Sequence, residues 1–326
     1  MKTKFDLISI GDTTLDIFLE LEDDVKILKD KKAKKTYLGL VFPKKIPVKK
    51  MTYVPAVGNS ANVAVGVSRL GLKTALRTFL GSDDIGKEML KILKKEGVDS
   101  TYVEFDKNRG SNFSAVLNYK AERTILVHHE KRDYDLPKLG GSRWIYFSSL
   151  AEGHSKLHTQ IPRYVKKYNA KLGFNPGSFQ IREGINKMRS ILKVTDVLFV
   201  NREEAQVLVG KEKNIKKLLL RLKTKGPKIP VITDGPKGSY ALDGDKFYYL
   251  KIFPAPLVER TGAGDSFSTG FISALAYGKK VPDAMRWGTV NSAFVIQKIG
   301  AREGLLKKRN IESILRKHPS FQAKKI

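Results

Sequence analysis

The sequence contains no cysteine, and this absence removes several classes of function at once. Without thiols there is no disulfide framework, no thiolate metal cluster and no cysteine nucleophile, which excludes zinc fingers and thiol proteases. Runs of about 18 apolar residues, the length needed to span a membrane, are also absent, and Asp6 and Asp12 interrupt the apolar stretch near the N-terminus. We therefore expect a soluble cytoplasmic protein without a membrane segment.

Acidic residues are scarce, with 33 of them against 61 lysines and arginines, and the net charge is +28. Such a charge attracts phosphates, nucleotides, nucleic acids or membrane surfaces. Residues 26–50 hold ten lysines and the single acid Asp30. At their centre lie Lys31, Lys32, Lys34 and Lys35. Nucleic-acid binders interleave aromatic or arginine side chains with such lysines, and Tyr37 and Phe42 are the main candidates here. We prefer a solvated basic surface and keep nucleic-acid binding as an alternative.

Short apolar runs alternate with segments of helical length along most of the chain. Strands are predicted at 5–10, 144–147, 170–174, 196–200 and 229–233. Helices are predicted at 58–70 and from Ser82 to Gly97, each ended by a glycine. This alternation predicts an α/β fold with a mostly parallel sheet covered by helices.

Four polar residues follow these strands directly: Asp12, Asn175, Asn201 and Asp234. Right-handed crossovers bring the carboxyl ends of parallel strands to one edge of the sheet, where ligands bind. The pattern therefore predicts a ligand crevice at that edge.

Residues 111–128 alternate in a different way, which is typical of a β-hairpin with a turn near Lys120. One face of this hairpin is predicted to carry Phe113, Ala115, Leu117 and Tyr119.

A glycine-rich turn, Thr261 to Phe267, opens a predicted helix. The backbone N–H groups of Gly262, Ala263 and Gly264 can form an anion hole at the positive end of the helix dipole. Asp265 lies at the same helix start, where a carboxylate can remove a proton from an acceptor hydroxyl. The alternative is an ordinary N-cap aspartate after a glycine turn.

This turn resembles the signature of the PfkB or ribokinase-like carbohydrate kinases, and the resemblance extends over nearly the whole chain. Residues 58–62 resemble the first signature of the family, which implies that Gly58, Asn59 and Asn62 hold sugar hydroxyls. Asp16 falls where the family provides a further carboxylate for the substrate.

The same resemblance implies a nucleotide site. Asn201 and Glu204 match the N-x-x-E motif near magnesium and phosphate, with the metal held through water. Further ATP-binding positions implied by the family are Thr233, Gly235, Gly238 and Asn291.

The resemblance implies a single Rossmann-like three-layer domain over residues 1–326, with a small β-sheet lid built by insertions at about 13–56 and 101–130. The implied reaction transfers the γ-phosphoryl group of ATP, with Mg²⁺, to a hydroxyl of a sugar or sugar derivative. Asp265 is then the general base and Gly262 to Gly264 the anion hole. We expect a second copy of the chain to be a partner, in a homodimer formed through the lid. Two rivals stay open: a nucleoside kinase of the same superfamily, and a nucleic-acid-binding protein on a kinase scaffold.

The chain departs from the family pattern at three positions. Glu259 replaces the aspartate that helps the family bind a monovalent cation, so dependence on such a cation is doubtful, and Arg260 replaces a frequent threonine. Asn175 stands where an aspartate often precedes proline. Substrate choice stays open, although several basic residues near the second insertion could read a carboxylate or phosphate. These are Arg109, Arg123, His128, His129 and Arg132.

Overall fold

The computed structural model describes residues 3–22, 24–30, 32, 35–120 and 122–326. Lys31 and Lys34 of the predicted lysine cluster lie outside the described residues. The strands are β1 (Phe5–Ile10), β2 (Thr14–Leu21), β3 (Val25–Asp30), β4 (Lys35–Leu40), β5 (Val48–Val57), β6 (Thr74–Gly81), β7 (Val103–Asp106), β8 (Asn112–Tyr119), β9 (Glu122–His128), β10 (Ser142–Phe147), β11 (Lys171–Phe174), β12 (Val197–Asn201), β13 (Ile229–Thr233), β14 (Ser239–Asp243), β15 (Lys246–Leu250) and β16 (Lys324–Lys325).

The helices are α1 (Asn59–Arg69), α2 (Asp84–Lys95), α3 (Leu157–Tyr168), α4 (Ser178–Glu183), α5 (Arg189–Leu192), α6 (Arg202–Val209), α7 (Ile215–Lys223), α8 (Ala263–Ala276), α9 (Val281–Val295) and α10 (Lys308–Lys317). Helix α2 begins two residues after the predicted Ser82, because the side chain of Asp83 accepts a hydrogen bond from Gly86 N at 2.8 Å and caps the helix. Among the described residues, no helix is long and apolar enough to cross a membrane.

A ten-stranded sheet forms the centre of the molecule, in the order β16-β15-β14-β13-β12-β11-β10-β1-β6-β7. The strands from β13 to β7 in that order run parallel, and β14 to β16 extend the sheet antiparallel. Alternation along β1 shows the layering. Ile8 and Ile10 join the apolar cluster on one face, with α3, α5, α6 and α7, whereas Leu7 joins the cluster on the other, with α1, α8, α9 and α10. The predicted three-layer α/β fold is confirmed.

A separate four-stranded sheet, in the order β5-β2-β8-β9, covers the carboxyl edge of the central sheet, and β3 and β4 form an additional hairpin. The predicted hairpin at 111–128 is confirmed as β8 and β9, which pair antiparallel. Its more deeply buried face carries Asn112, Ser114 and Val116, and Phe113 lies on the more exposed face. The predicted alternation of side chains along β8 is therefore confirmed. The more polar face is the inward one, because it borders a cavity.

Strand β7 falls within the insertion predicted at 101–130 but lies in the central sheet, paired in parallel with β6. It follows α2 through a strand-helix-strand crossover, and such units place both strands in one sheet. The part of this insertion that belongs to the small sheet is therefore β8 and β9.

Candidate active site

A cavity of about 850 Å³ lies between the small sheet and the carboxyl ends of β1, β11 and β12. Three of the four polar residues predicted at strand ends line it: Asp12, Asn175 and Asn201. Asp234, the fourth, instead forms an ion pair with Arg202 at 2.7 Å. The residues predicted to be catalytic or substrate-binding all line this cavity: Gly262, Ala263, Gly264, Asp265, Asp16, Gly58, Asn59 and Asn62.

Asp265 lies in the first turn of α8 and is 8% exposed. Its Oδ2 atom accepts a hydrogen bond from Asn62 Nδ2 of α1 at 2.8 Å. Burial raises the pKa of Asp265 to about 6, and hydrogen bonds from Asn62 and Asn59 oppose that rise. A carboxylate with this pKa is ionised at neutral pH and is a stronger base than an exposed aspartate.

Asp16 belongs to β2 of the small sheet and faces the same cavity. Burial raises its pKa to about 6, Ser114 lowers it by hydrogen bonding, Asp265 and Glu259 raise it, and His129 lowers it. Both carboxyl groups line the cavity, Asp16 from the small sheet and Asp265 from the first turn of α8, and they are close enough for the charge of Asp265 to raise the pKa of Asp16.

Backbone geometry explains two of the glycines. Gly262 has φ +77°, and a Cβ atom there would lie 2.4 Å from Ala301 Cβ, so the turn before α8 requires glycine. A Cβ atom on Gly264 would meet nothing within 4 Å, so this glycine borders open space.

The predicted anion hole is only partly free of other bonds. Ala263 N donates to Arg260 O at 3.2 Å. Among the described residues, the N–H groups of Gly264 and Asp265 in the same turn have no acceptor. These two donors lie at the N-terminal end of α8, where free N–H groups and the helix dipole stabilise an anion.

The side chain of Glu259 organises the loop before that turn. Its Oε1 atom accepts hydrogen bonds from Thr261 N at 2.8 Å and Thr261 Oγ1 at 2.7 Å. Arg123 Nη1 of β9 lies 3.7 Å from the same oxygen, and Arg260 Nη1 lies 3.6 Å from Glu122 Oε1. Two adjacent residues of the small sheet thus form ion pairs with two adjacent residues of this loop.

Asn201 and Glu204 cap α6 reciprocally. Asn201 N donates to Glu204 Oε2 and Glu204 N donates to Asn201 Oδ1, both at 2.8 Å. Burial raises the pKa of Glu204, and the charge of Asp265 raises it further. Both residues line the main cavity, and carbonyl and carboxylate oxygens suit hydrated Mg²⁺. The predicted residues therefore fit a magnesium ion held through water.

A second, more apolar cavity of about 290 Å³ adjoins the first at the start of α8. The predicted residues Thr233, Gly235 and Gly238 line it. Its apolar wall consists of Ile252, Phe253, Ala255, Leu257 and Ile296. Thr233 and Arg260 line both cavities, so the two share a wall.

Asn291 lies behind the wall of this second cavity. It is fully buried, its Nδ2 atom donates to Ser266 O at 2.8 Å, and its Oδ1 atom accepts from Leu306 N at 3.0 Å. The bond to Ser266 fixes α9 against the start of α8, and the bond from Leu306 fixes the segment that follows α9. The structure thus gives Asn291 a supporting position and no direct access to the cavity.

Two of the five basic residues predicted near the second insertion line the main cavity, Arg123 and His129. Arg132 is 1% exposed and pairs with Asp106 at 2.7 Å, away from the cavity. His128 points to the opposite face of β9 from His129 and pairs with Glu130 at 3.4 Å.

The cavity also contains residues that the sequence did not single out. Phe179 and Arg182 on α4 and Ser114 on β8 line it. The alternation of β8 was a usable signal for Ser114, whereas nothing in a six-residue helix marks Phe179 or Arg182 as site residues.

Comparisons with known proteins show which sequences and folds this chain resembles. The sequence profile of the pfkB family carbohydrate kinases matches residues 29–308. An uncharacterized sugar kinase of Archaeoglobus fulgidus is 30% identical over 249 residues, which cover 74% of this chain and 98% of that protein. The structure of Arabidopsis thaliana ribokinase complexed with ribose and ATP superposes with a TM-score of 0.79 at 21% identity, covering 97% of this chain and 99% of that one. The Methanocaldococcus jannaschii nucleoside kinase gives 0.77 at 21% identity, over 97% and 100% of the two chains.

Proposed function

Because the chain belongs to the pfkB family of carbohydrate kinases, we propose that it transfers the γ-phosphoryl group of ATP to a hydroxyl of a sugar or sugar derivative. The observation that carries this proposal is the position of Asp265. Its buried carboxylate lies at the start of α8, at the junction of a polar and an apolar cavity, and beside two N–H groups that have no acceptor in the part of the chain that the structure describes.

In the proposed reaction, Asp265 takes the proton of the acceptor hydroxyl. A bond forms between the acceptor oxygen and the γ-phosphorus, the bond from that phosphorus to the β,γ-bridging oxygen breaks, and ADP leaves. The N–H groups of Gly264 and Asp265 stabilise the charge that develops on the transferred group. Asp16, Asn59 and Asn62 orient the acceptor from the side of the small sheet and α1.

The apolar cavity is assigned to the base of the nucleotide, and Thr233, Gly235 and Gly238 to its ribose and phosphates. Asn201 and Glu204 would hold a magnesium ion through water molecules. When bound, the ion neutralises charge on the phosphate oxygens.

The small sheet excludes water from the acceptor. Asp16, Ser114 and Val127 are neighbours across three of its strands, and all three line the main cavity. Exclusion matters because water competes with the acceptor hydroxyl for the γ-phosphoryl group.

We further infer that the reaction needs no monovalent cation, because the guanidinium of Arg123 lies 3.7 Å from Glu259 Oε1 and supplies a positive charge at the position of the family's cation-binding aspartate. The same oxygen accepts both donors of Thr261. Oε2 is buried without a hydrogen-bond partner among the described residues, so it is the atom at which a cation would bind if the inference were wrong.

A homodimer through the small sheet is also part of the proposal. Its outer face carries apolar side chains that are largely exposed, including Met51 at 61% and Leu126 at 55%. A second copy would cover them. The molar mass in solution, measured by light scattering, tests this assignment. A monomer at all concentrations would exclude it.

The test of the proposed function is a panel of sugars, sugar acids, sugar phosphates and nucleosides incubated with ATP and Mg²⁺ and analysed by mass spectrometry. We expect one acceptor class to gain a phosphoryl group. Phosphorylation of nucleosides alone would favour the nucleoside kinase. No turnover, together with salt-sensitive binding of RNA or DNA, would favour the nucleic-acid-binding alternative.

A further inference from the structure

Asp12, at the end of β1, is 3% exposed and does not serve the reaction proposed above. Its carboxylate accepts hydrogen bonds from Ala151 N at 2.9 Å and from the hydroxyl of Tyr134, which lies 2.8 and 2.9 Å from its two oxygens. Burial and the charge of Asp12 raise the pKa of Tyr134, so this hydroxyl keeps its proton and donates a hydrogen bond to Asp12. Asp12 is therefore held rigidly as an acceptor.

The third partner of Asp12 is His129, whose Nδ1 atom lies 3.0 Å from Asp12 Oδ2. Since a carboxylate can only accept, the proton of this bond belongs to Nδ1. The other ring nitrogen, Nε2, has no hydrogen-bond partner among the described residues, and His129 lines the main cavity. By contrast, the Nε2 atoms of His154 and His158 are fully buried.

His129 stands beside the group that binds the acceptor. It follows β9 on the same face as Val127, and its charge lowers the pKa of Asp16. Its imidazole is oriented by a buried network, and one nitrogen is left for a ligand in the cavity.

The neighbouring wall of the cavity, formed by α4, carries a cationic side chain. The ring of Phe179 lies 6.4 Å from that of His129, and the guanidinium of Arg182 lies over Phe179 at 4.5 Å from the ring centroid. Within the part of the chain that the structure describes, Arg182 has no carboxylate partner. This wall therefore has groups that favour negative charge, whereas Asp16 and Asp265 are grouped at the reacting hydroxyl.

We propose that His129, as an imidazolium that donates from Nε2, and Arg182 bind a carboxylate or phosphate substituent of the acceptor and select anionic sugars over neutral ones. This inference rests on the proposed kinase function, because it assigns the acceptor to the same cavity. Asp12 and Tyr134 act as positioning residues that hold the His129 ring.

Calorimetric binding of D-glucose, D-gluconate and D-glucose 6-phosphate tests the proposal without turnover. The variants are His129→Ala and Arg182→Ala. His128→Ala is the matched control, since His128 is the adjacent side chain on the outer face. We expect the parent to bind an anionic probe more tightly than D-glucose. Each test variant should weaken that binding about 10- to 100-fold, the value of a hydrogen bond to a charged group, and leave D-glucose unaffected.

The arm with gluconate and the arm with glucose 6-phosphate distinguish a carboxylate from a phosphate subsite. Equal binding of the charged and neutral probes, binding of none of them, or an equal loss for all of them in His129→Ala would overturn the proposal. So would weakened binding in the His128→Ala control.

Nitrogen-15 NMR of the histidine rings provides an independent readout. The signals that disappear in His129→Ala should show a protonated Nδ1, and when the anionic probe is added the Nε2 shift should move to that of a protonated nitrogen. An Nε2–H tautomer, or an unmoved shift, contradicts the assignment. If binding and NMR agree but no acceptor is phosphorylated, the subsite stands and the kinase function fails.

Discussion

Replacing Asp265 by asparagine should make the protein more stable at neutral pH. Asparagine keeps an oxygen that accepts the hydrogen bond from Asn62 but removes the ionisable group. Burial raises the pKa of Asp265 from the ordinary 3.8 to about 6. A carboxyl group with a raised pKa binds its proton more tightly in the folded state. Ionisation therefore lowers the free energy of unfolding as pH rises from 3.8 towards 6.

The magnitude follows from the shift. About two pKa units at 1.36 kcal/mol each give a penalty of about 3 kcal/mol above pH 6, as an upper value. The unfolding entropy of a chain of this length converts 1 kcal/mol into about 1.5 °C, so Tm should rise by about 2 to 5 °C at pH 7.5. The gain should shrink as pH falls towards 4, because the parent carboxyl then becomes protonated.

Differential scanning calorimetry of parent and variant between pH 5 and 8 measures this difference. Asp245→Asn is the control, because Asp245 is an exposed carboxyl in a turn. A variant that is less stable than the parent at pH 7.5, or one whose gain does not depend on pH, would show that the buried charge of Asp265 does not destabilise the fold.

Three further predictions concern the same site. The value of kcat/KM should fall below about pH 6 as Asp265 is protonated, and Asn62→Ala should move this limb up by about one pH unit in a pH-rate profile, since it removes a hydrogen bond to the carboxylate. Gly262→Ala should lower Tm, whereas Gly264→Ala should keep Tm and lose activity because its methyl group faces the phosphoryl site; equal Tm values for the two would contradict the geometry. Exchange of potassium for sodium should leave the rate unchanged, and Arg123→Met should lower it; a parent that requires potassium would exclude the role given to Arg123.

Sequence patterns predicted most of the architecture, because buried parallel strands are short apolar runs that end in polar residues. Strands β1 and β13 coincide with their predicted ranges. The position of β7 was not predictable in this way. Whether a four-residue strand joins the central or the small sheet depends on the crossover before it and not on its own composition.

The site was predictable where its residues lie in contiguous turns, as at Gly262 to Asp265. It was not predictable where residues far apart in the chain meet. The bond of Asp12 to His129 spans 117 residues, and the ion pair of Arg123 with Glu259 joins the small sheet to the loop before α8. Asn291 shows the opposite error, since a position near the nucleotide cavity need not have its side chain in it.

The proposed general base is tested by phosphoryl transfer by the parent and by Asp265→Asn, measured under identical conditions with the accepted substrate. We expect kcat to fall about 10²- to 10⁴-fold, the range for loss of a general base, while the Kd for ATP with Mg²⁺ stays unchanged. Transfer of the phosphoryl group by the variant at the parental rate would show that Asp265 is not the general base.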